Sequence, residues 1–275
     1  MTIRQIRRHA LGVVGVVLAS LAVIVAAAAP LLAPHDPIKS DFAAGLQPPG
    51  TPGHPLGTDQ LGRDLLSRVL YGARIALFIG FCTVLLTALV GGLLGLLAGF
   101  VGGWPGTVIM RIADVQLSFP FILLALTINA IVGLGLRNII ISLSVAGWVV
   151  YARVVRGEVL SVKQREFVQA AAALGMGRAR MLFGHVLPNV APSIIVVASL
   201  QFSQFIVAEA AISFLGFGVQ PPTPAWGSML SESRDFLYVA WWLAAFPGAA
   251  LALTALGINL VGDWLRDVLD PKLRV

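Results

Sequence analysis

The sequence predicts an all-α membrane protein with six transmembrane helices. The chain has 275 residues, of which 57% are hydrophobic and only 12% are charged. Its mean hydropathy is +0.88, and a soluble domain of this size could not bury so much apolar surface. Its apolar residues also form repeated runs that reach the roughly 20 residues needed to cross a bilayer as a helix. These runs leave no room for a second domain.

Six apolar runs are the candidate spans: Ala10–Ala33, Ile75–Val101, Val108–Val132, Ile139–Val155, Ala191–Phe214 and Phe236–Val261. The first follows three arginines and could instead be a cleaved signal peptide. Its apolar part exceeds the roughly 7–15 residues of a signal h-region, so we expect a retained anchor. Pro120 should kink the third run. Arg111 and Asp114, in the first turns of that run, should lie at the interface or pair with each other.

Lysine and arginine predict the orientation of the spans. With the N-terminus inside, 13 of the 19 basic residues fall in cytoplasmic segments, including Arg178 and Arg180. The other six fall outside: Lys39, Arg63, Arg68, Arg74, Arg137 and Arg234. Because basic residues favour the cytoplasmic side, both termini are expected there.

The segment 34–74 between the first two runs should lie outside. Its prolines predict an extended or turning chain. Thr58 could then N-cap a helix on the membrane surface, with Leu65 on its apolar side and Arg63, Asp64 and Arg68 on the other. That polar side could contact another protein or simply face solvent.

A short helical hairpin is predicted between the fourth and fifth runs. The segment from Glu166 to Asn189 reads EFVQAAAALGMGRARMLFGHVLPN. Its first helix carries small or apolar residues at helical spacing: Phe167, Ala170, Ala171 and Leu174. Gly175 should end that helix, and a second short helix should run from Arg178 to His185 and stop at Leu187-Pro188-Asn189.

This hairpin resembles the EAA loop of the permease subunits of binding-protein-dependent ABC importers. Gln169-Ala170-Ala171 and Gly175 match its beginning, and His185, Leu187 and Pro188 match its end. Gln169 stands where glutamate is usual, and His185 stands where isoleucine is usual. An ending of this kind is typical of the peptide and nickel branch. Three further segments resemble that branch, in the same order: His54–Leu77, Glu209–Leu230 and Asn259–Arg274.

The resemblance implies a type I importer permease fold in a bacterial or archaeal cytoplasmic membrane. It divides the chain into an anchor with its external loop (1–74) and a core (75–275), whose coupling hairpin lies at about 160–190. It also implies a non-catalytic subunit without cofactors, which pairs with a second permease, two ATPase subunits and an external solute-binding protein. The expected ATPase-coupling residues are Phe167, Gln169, Ala170, Ala171, Leu174, Gly175, His185, Leu187 and Pro188. Di- or oligopeptide is the leading substrate, and nickel, glutathione or another small solute is the alternative.

The fifth run is unusually polar. Gln201, Gln204, Glu209 and Ser213 could line a translocation pathway or clamp helices together. Ser213 lies one turn from Glu209 and could hydrogen-bond to it. An ion-coupled secondary transporter should carry several ionisable residues in mid-membrane. Glu209 is the one convincing candidate, which disfavours that class.

Several other activities are disfavoured. None of the three lysines lies in the Gly-Lys-Ser/Thr setting of a P-loop, so ATP binding of that kind is excluded. The four histidines are scattered and have no cysteine partner, so no metal site is expected. The net charge is +6, and the basic residues lie next to the spans without interleaved aromatic residues. This placement favours contact with lipid headgroups rather than with nucleic acid.

Overall fold

The structure, a computed structural model, describes residues 3–269, with side chains from Ala10 onward. The side chains of Arg4, Arg7 and Arg8, which were counted as cytoplasmic, therefore lie outside the described part. Lys272 and Arg274 also lie outside the described residues. No strand occurs between residues 3 and 269. The regular secondary structure of this part is helical, as predicted, and a long loop, residues 33–64, separates the first two long helices.

Ten α-helices make up the described part of the chain. They are α1 (Ile3–Leu32), α2 (Leu65–Phe100), α3 (Gly103–Leu117), α4 (Phe121–Val132), α5 (Leu136–Lys163), α6 (Glu166–Ala173), α7 (Arg178–Met181), α8 (Leu187–Phe214), α9 (Trp226–Glu232) and α10 (Trp242–Leu269). A π-helical segment, Leu182–Val186, joins α7 to α8. Short 3₁₀ turns at Phe42–Ala44 and Arg234–Phe236 lie in the loops before α2 and α10.

Five helical segments within residues 3–269 are long and apolar enough to cross a membrane. The pair α3 and α4 meets the same criteria together but bends by 94° between Leu117 and Phe121. Counted as one span, this pair gives the six expected spans. Pro120 occupies the N-cap position of α4, so the predicted interruption at this residue is confirmed. The third run is thus a broken pair of helices rather than one continuous helix.

Helices α2 and α5 form the centre of the bundle, with α1 packed against α10 and α8 against both α2 and α10. Glycines on α2 allow the central pair to approach closely. A Cβ atom at Gly95 would lie 2.6 Å from the Ala152 carbonyl oxygen, and one at Gly99 would lie 2.8 Å from Val159 Cβ. Small residues commonly allow such close packing between membrane helices.

The helix expected to start after Thr58 and to lie on the membrane surface is not a separate element. Its residues from Leu65 onward are the first turns of α2, which continues into the second span. Asp64 is its N-cap, and the Asp64 carboxylate accepts a hydrogen bond from the Ser67 backbone N–H at 2.8 Å. Thr58 lies fully buried in the preceding loop, where its hydroxyl donates to the Ala44 carbonyl. The expected N-cap at Thr58 is therefore wrong. A carboxylate beside the first turn of α2 is the better cap because it also complements the helix dipole.

The charges around the start of α2 point inward rather than toward solvent, which corrects the expected polar face. Arg63 Nε donates to Asp59 Oδ2 at 2.6 Å, and Arg63 Nη2 donates to Glu232 Oε2 at 2.8 Å. Arg68 Nη2 donates to the same Glu232 oxygen at 3.2 Å. Two positive and two negative groups thus compensate each other, as buried charges require. The network fastens the loop before α2 to α9.

Asp114 in α3 pairs with Arg153 in α5. Of the two alternatives for Arg111 and Asp114, a position at the interface or a pair with each other, the second is therefore wrong. The two helices bring together residues that are 39 positions apart in sequence, a contact that helical periodicity within α3 could not indicate. About half of each side chain is exposed, so the pair adds little stability.

Candidate functional site

The segment 166–189, which we call the 166–189 hairpin, contains most of the residues that sequence matching singled out. Its first helix, α6, ends in a Schellman motif at Gly175. The Gly175 N–H donates to the Ala172 carbonyl at 3.0 Å, and the Met176 N–H donates to the Ala171 carbonyl at 3.1 Å. Gly175 has a φ of +77°, which glycine adopts without steric cost. The predicted end of the first helix is confirmed.

The two faces of α6 have different surroundings. Val168 is 2% exposed and belongs to an apolar cluster with Val159, Val162 and Val186. Ala171, on the same side, is 8% exposed. Helix α6 is therefore seated on its own chain through one narrow face.

The opposite face of α6 is open. Leu174 is 89% exposed and Phe167 is 43% exposed, while Gln169 and Ala170 between them are also exposed. The stripe of four residues predicted from spacing thus divides, because Ala171 faces the chain and the other three face outward. A large apolar side chain held beside small residues in this way is typical of a protein-docking surface.

The second half of the 166–189 hairpin differs from the prediction. Its helix does not stop at Leu187-Pro188-Asn189, because α7, the π-helical segment and α8 follow one another without a break. Pro188 lies within the first turn of α8, where its missing N–H and fixed φ are tolerated. The hairpin is consequently built directly onto a membrane-crossing helix. Leu187 is half-buried and Pro188 is exposed.

Side-chain contacts hold the hairpin to the ends of its neighbouring helices. Arg165, which precedes α6, donates to Asn189 Oδ1 at 3.2 Å. Asn189 Nδ2 in turn donates to the His185 carbonyl at 2.7 Å. The Phe167 and His185 rings lie 6.1 Å apart, centre to centre. Gln169 donates back to the Gln164 carbonyl at 3.2 Å. A force on α6 would thus be transmitted to both α5 and α8.

The four polar residues of the fifth run fall into two pairs. Glu209 and Ser213 are buried within the chain, at 1% and 2% exposure. Ser213 Oγ donates to Glu209 Oε1 at 2.6 Å, which confirms the predicted hydrogen bond, and it accepts from the Val219 N–H at 3.1 Å. This pair therefore holds the loop after α8 against the helix.

Gln201 and Gln204 lie elsewhere on α8, beside a cavity of about 180 Å³. Gln116, from the end of α3, lines the same cavity. Its amide accepts from Trp148 Nε1 at 2.9 Å and donates to the Ala146 carbonyl at 2.8 Å. The Gln116 amide is thus occupied within the chain, whereas those of Gln201 and Gln204 could hydrogen-bond to a peptide backbone without selecting a side chain.

Sequence reasoning missed Gln116 as a lining residue of this cavity and Trp148 as its hydrogen-bond partner. One signal was present, since Gln116 is an uncharged polar residue in an apolar run, just before the break at Pro120. Its proximity to Gln201 depends on the 94° bend, which the sequence did not specify.

Comparison with known families agrees with these features. Residues 91–275 match the family model described as binding-protein-dependent transport system inner membrane component. Residues 1–49 match the model for the N-terminal TM domain of oligopeptide transport permease C. Between them, the two matches cover both ends of the chain.

Individual relatives are similar over nearly the whole length. A di/tripeptide transport system permease protein from Pseudomonas aeruginosa is 45% identical over 272 residues, which cover 97% of this chain and 90% of the relative. A dipeptide transport system permease protein from Alkalihalophilus pseudofirmus is 42% identical over 271 residues, covering 98% and 89%. A glutathione transport system permease protein from Pectobacterium atrosepticum is 43% identical over 221 residues, covering 80% and 73%.

Proposed function

The chain belongs to the family of inner membrane components of binding-protein-dependent transport systems, and from this we propose that it is a permease subunit of an ATP-driven importer of di- and oligopeptides. The observation that carries the proposal is similarity of more than 40% identity to dipeptide permeases over almost the entire chain. The amide side chains of Gln201 and Gln204 at the cavity beside α8 support a peptide substrate, because they can bind backbone groups shared by all peptides.

The proposed assembly contains a second, similar permease, two ATPase subunits and an external solute-binding protein. ATP hydrolysis belongs to the ATPase subunits, which dock on the exposed face of α6 through Phe167, Ala170 and Leu174. Gln169 is exposed on the same helix and contributes a polar contact. His185, Leu187 and Pro188 support the hairpin from behind, at its junction with α8.

The proposed mechanism is alternating access. Closure of the ATPase pair moves α6, and the buried Val168 cluster and the Arg165–Asn189 hydrogen bond pass this motion to α5 and α8. Rotation of these helices opens the pathway to the other side of the membrane. The division into 1–74 and 75–275 is part of the same proposal, with the boundary inside α2.

Reconstituted transport tests the proposal. The chain would be placed in vesicles with its sister permease and ATPase subunits, and uptake of a radiolabelled dipeptide would be measured with the binding protein present. We expect uptake that requires hydrolysable ATP. Equal uptake with a non-hydrolysable ATP analogue, driven by an ion gradient, would instead indicate a secondary transporter.

Glutathione is the second candidate substrate, because a glutathione permease is among the relatives at 43% identity. Competition of unlabelled glutathione, dipeptide and Ni²⁺ against the labelled dipeptide separates the candidates. Preferential competition by glutathione or Ni²⁺ would replace the peptide proposal while leaving the ABC permease assignment intact.

A further inference from the structure

Three potential metal ligands from different parts of the loop 33–64 meet at the start of α2. They are His35, His54 and Asp64, and one ligand atom from each lies within 4.8 Å of the other two. The sequence showed these histidines as scattered, because 19 positions separate them in the chain. The fold brings their rings into a stack with centroids 4.7 Å apart.

The two histidine–aspartate separations are close to those around a small tetrahedral ion, and the histidine ligand atoms lie within 4.8 Å of each other. His54 Nδ1 lies 2.9 Å from Asp64 Oδ1, and His35 Nδ1 lies 3.8 Å from the same oxygen. Zn²⁺ with bonds of about 2.0–2.1 Å to nitrogen and oxygen places neighbouring ligand atoms about 3.3 Å apart. Each of the two separations would need to change by only about half an ångström.

The carboxylate is already oriented by a second set of contacts. Asp64 Oδ2 accepts hydrogen bonds from the Ser67 N–H at 2.8 Å and the Ser67 hydroxyl at 2.7 Å. These bonds direct Oδ1 toward the histidines, as outer partners of metal-binding carboxylates commonly do. The Ser67 hydroxyl also accepts from the His35 backbone N–H at 3.1 Å, so the same residue positions two of the three ligands.

An ion could reach this cluster from outside. The His35 side chain is 44% exposed and that of His54 is 18% exposed, whereas the Asp64 side chain is fully buried. His35 also lines a cavity of about 1200 Å³ between α1 and α2. One side of the cluster is therefore open, which leaves room for water as a fourth ligand.

We propose that His35, His54 and Asp64 bind one divalent transition-metal ion of the Zn²⁺ type. Two imidazoles and one carboxylate favour such ions over Mg²⁺ or Ca²⁺, which prefer oxygen ligands. His54 would bind through Nδ1 as the neutral imidazole with its ring proton on Nε2, and it would exchange its contact with Asp64 Oδ1 for a bond to the metal. The bound ion fastens the loop that follows α1 to the first turn of α2.

Zinc binding by the full chain in detergent tests the proposal. The chain would carry a purification tag without histidine, be stripped with EDTA, and be titrated with Zn²⁺ against a fluorescent chelator. The variants are His35→Ala and His54→Gln, and His185→Ala in the 166–189 hairpin is the matched control. We expect one Zn²⁺ ion to bind per wild-type chain. Each ligand variant should weaken the Zn²⁺ affinity by at least about 10- to 100-fold, because loss of even an outer partner of a metal ligand can have an effect of this size.

Thermal unfolding provides the second readout. Added Zn²⁺ should raise the Tm of the wild type and of His185→Ala, because binding to the folded state alone stabilises it. His35→Ala is the decisive variant, since its partly exposed side chain can be removed without unfolding the loop. If the wild type bound no more Zn²⁺ than His35→Ala, the cluster would be a hydrogen-bonded His–Asp pair and the proposal would be wrong. An equal loss in His185→Ala would show nonspecific binding and overturn it as well.

Discussion

Leu174 provides the sharpest test of ATPase docking on α6. The substitution Leu174→Ala removes three carbon atoms, and burial of each contributes about 0.8 kcal/mol. Since the residue is 89% exposed in the chain alone, nearly all of this surface is free for a partner. If the side chain is fully buried in the complex, the three groups contribute about 2.4 kcal/mol, so their loss should weaken the affinity for the ATPase subunit roughly 50-fold.

The measurement is binding of purified ATPase subunit to the permease in lipid nanodiscs, together with ATP-driven uptake in vesicles. The Tm of the permease alone should be unchanged, because Leu174 is so exposed. Leu31→Ala is the matched control, since Leu31 is also 89% exposed but lies at the end of α1. Unchanged affinity and uptake in Leu174→Ala would refute the docking assignment. So would an equal loss in Leu31→Ala.

Three further predictions concern the rest of the chain. Reporter fusions after Gly50 should read external and those after Arg180 cytoplasmic, because basic residues favour the inner side; an external signal after Arg180 would reject the six-span topology. Glu209→Ala should lower the stability of the chain by about 1–3 kcal/mol, because a buried hydrogen-bond acceptor is lost, while uptake per assembled complex stays normal. Altered uptake at normal stability would instead indicate a pathway role. Arg68→Met should lower the free energy of unfolding by about 3–5 kcal/mol, because it leaves a buried network with excess negative charge. Adding Glu232→Gln to the same chain should recover part of this loss, as measured by denaturant unfolding.

Ala171 is not a suitable position for a mutation that tests ATPase docking on α6. Spacing alone placed Ala171 on the same docking stripe as Ala170, but its 8% exposure places it against its own chain. A charged residue at this position would disturb the seating of α6 and would not isolate docking. Ala170 and Leu174 lie on the exposed face and can be changed without that effect.

Local sequence patterns were sufficient for much of the backbone. Long apolar runs predicted the spans because a helix in lipid must satisfy its own backbone hydrogen bonds. Pro120 predicted a break because proline removes a helical donor, and Gly175 predicted the end of α6 because glycine adopts positive φ without strain. Each of these inferences depends on residues that are close together in the sequence.

The tertiary structure decided which side chains meet. Asp114 pairs with Arg153 rather than Arg111, and Arg68 reaches Glu232, a residue 164 positions away. Nothing in the sequence pattern linked His35 to His54, although their rings stack in the fold. Helical periodicity indicates which residues share a face of one helix, but the partner of that face is set by how the helices pack. The sequence by itself therefore determined the membrane-spanning helical architecture and its breaks, whereas packing between distant segments decided the charge network, the exposed face of α6 and the candidate metal site.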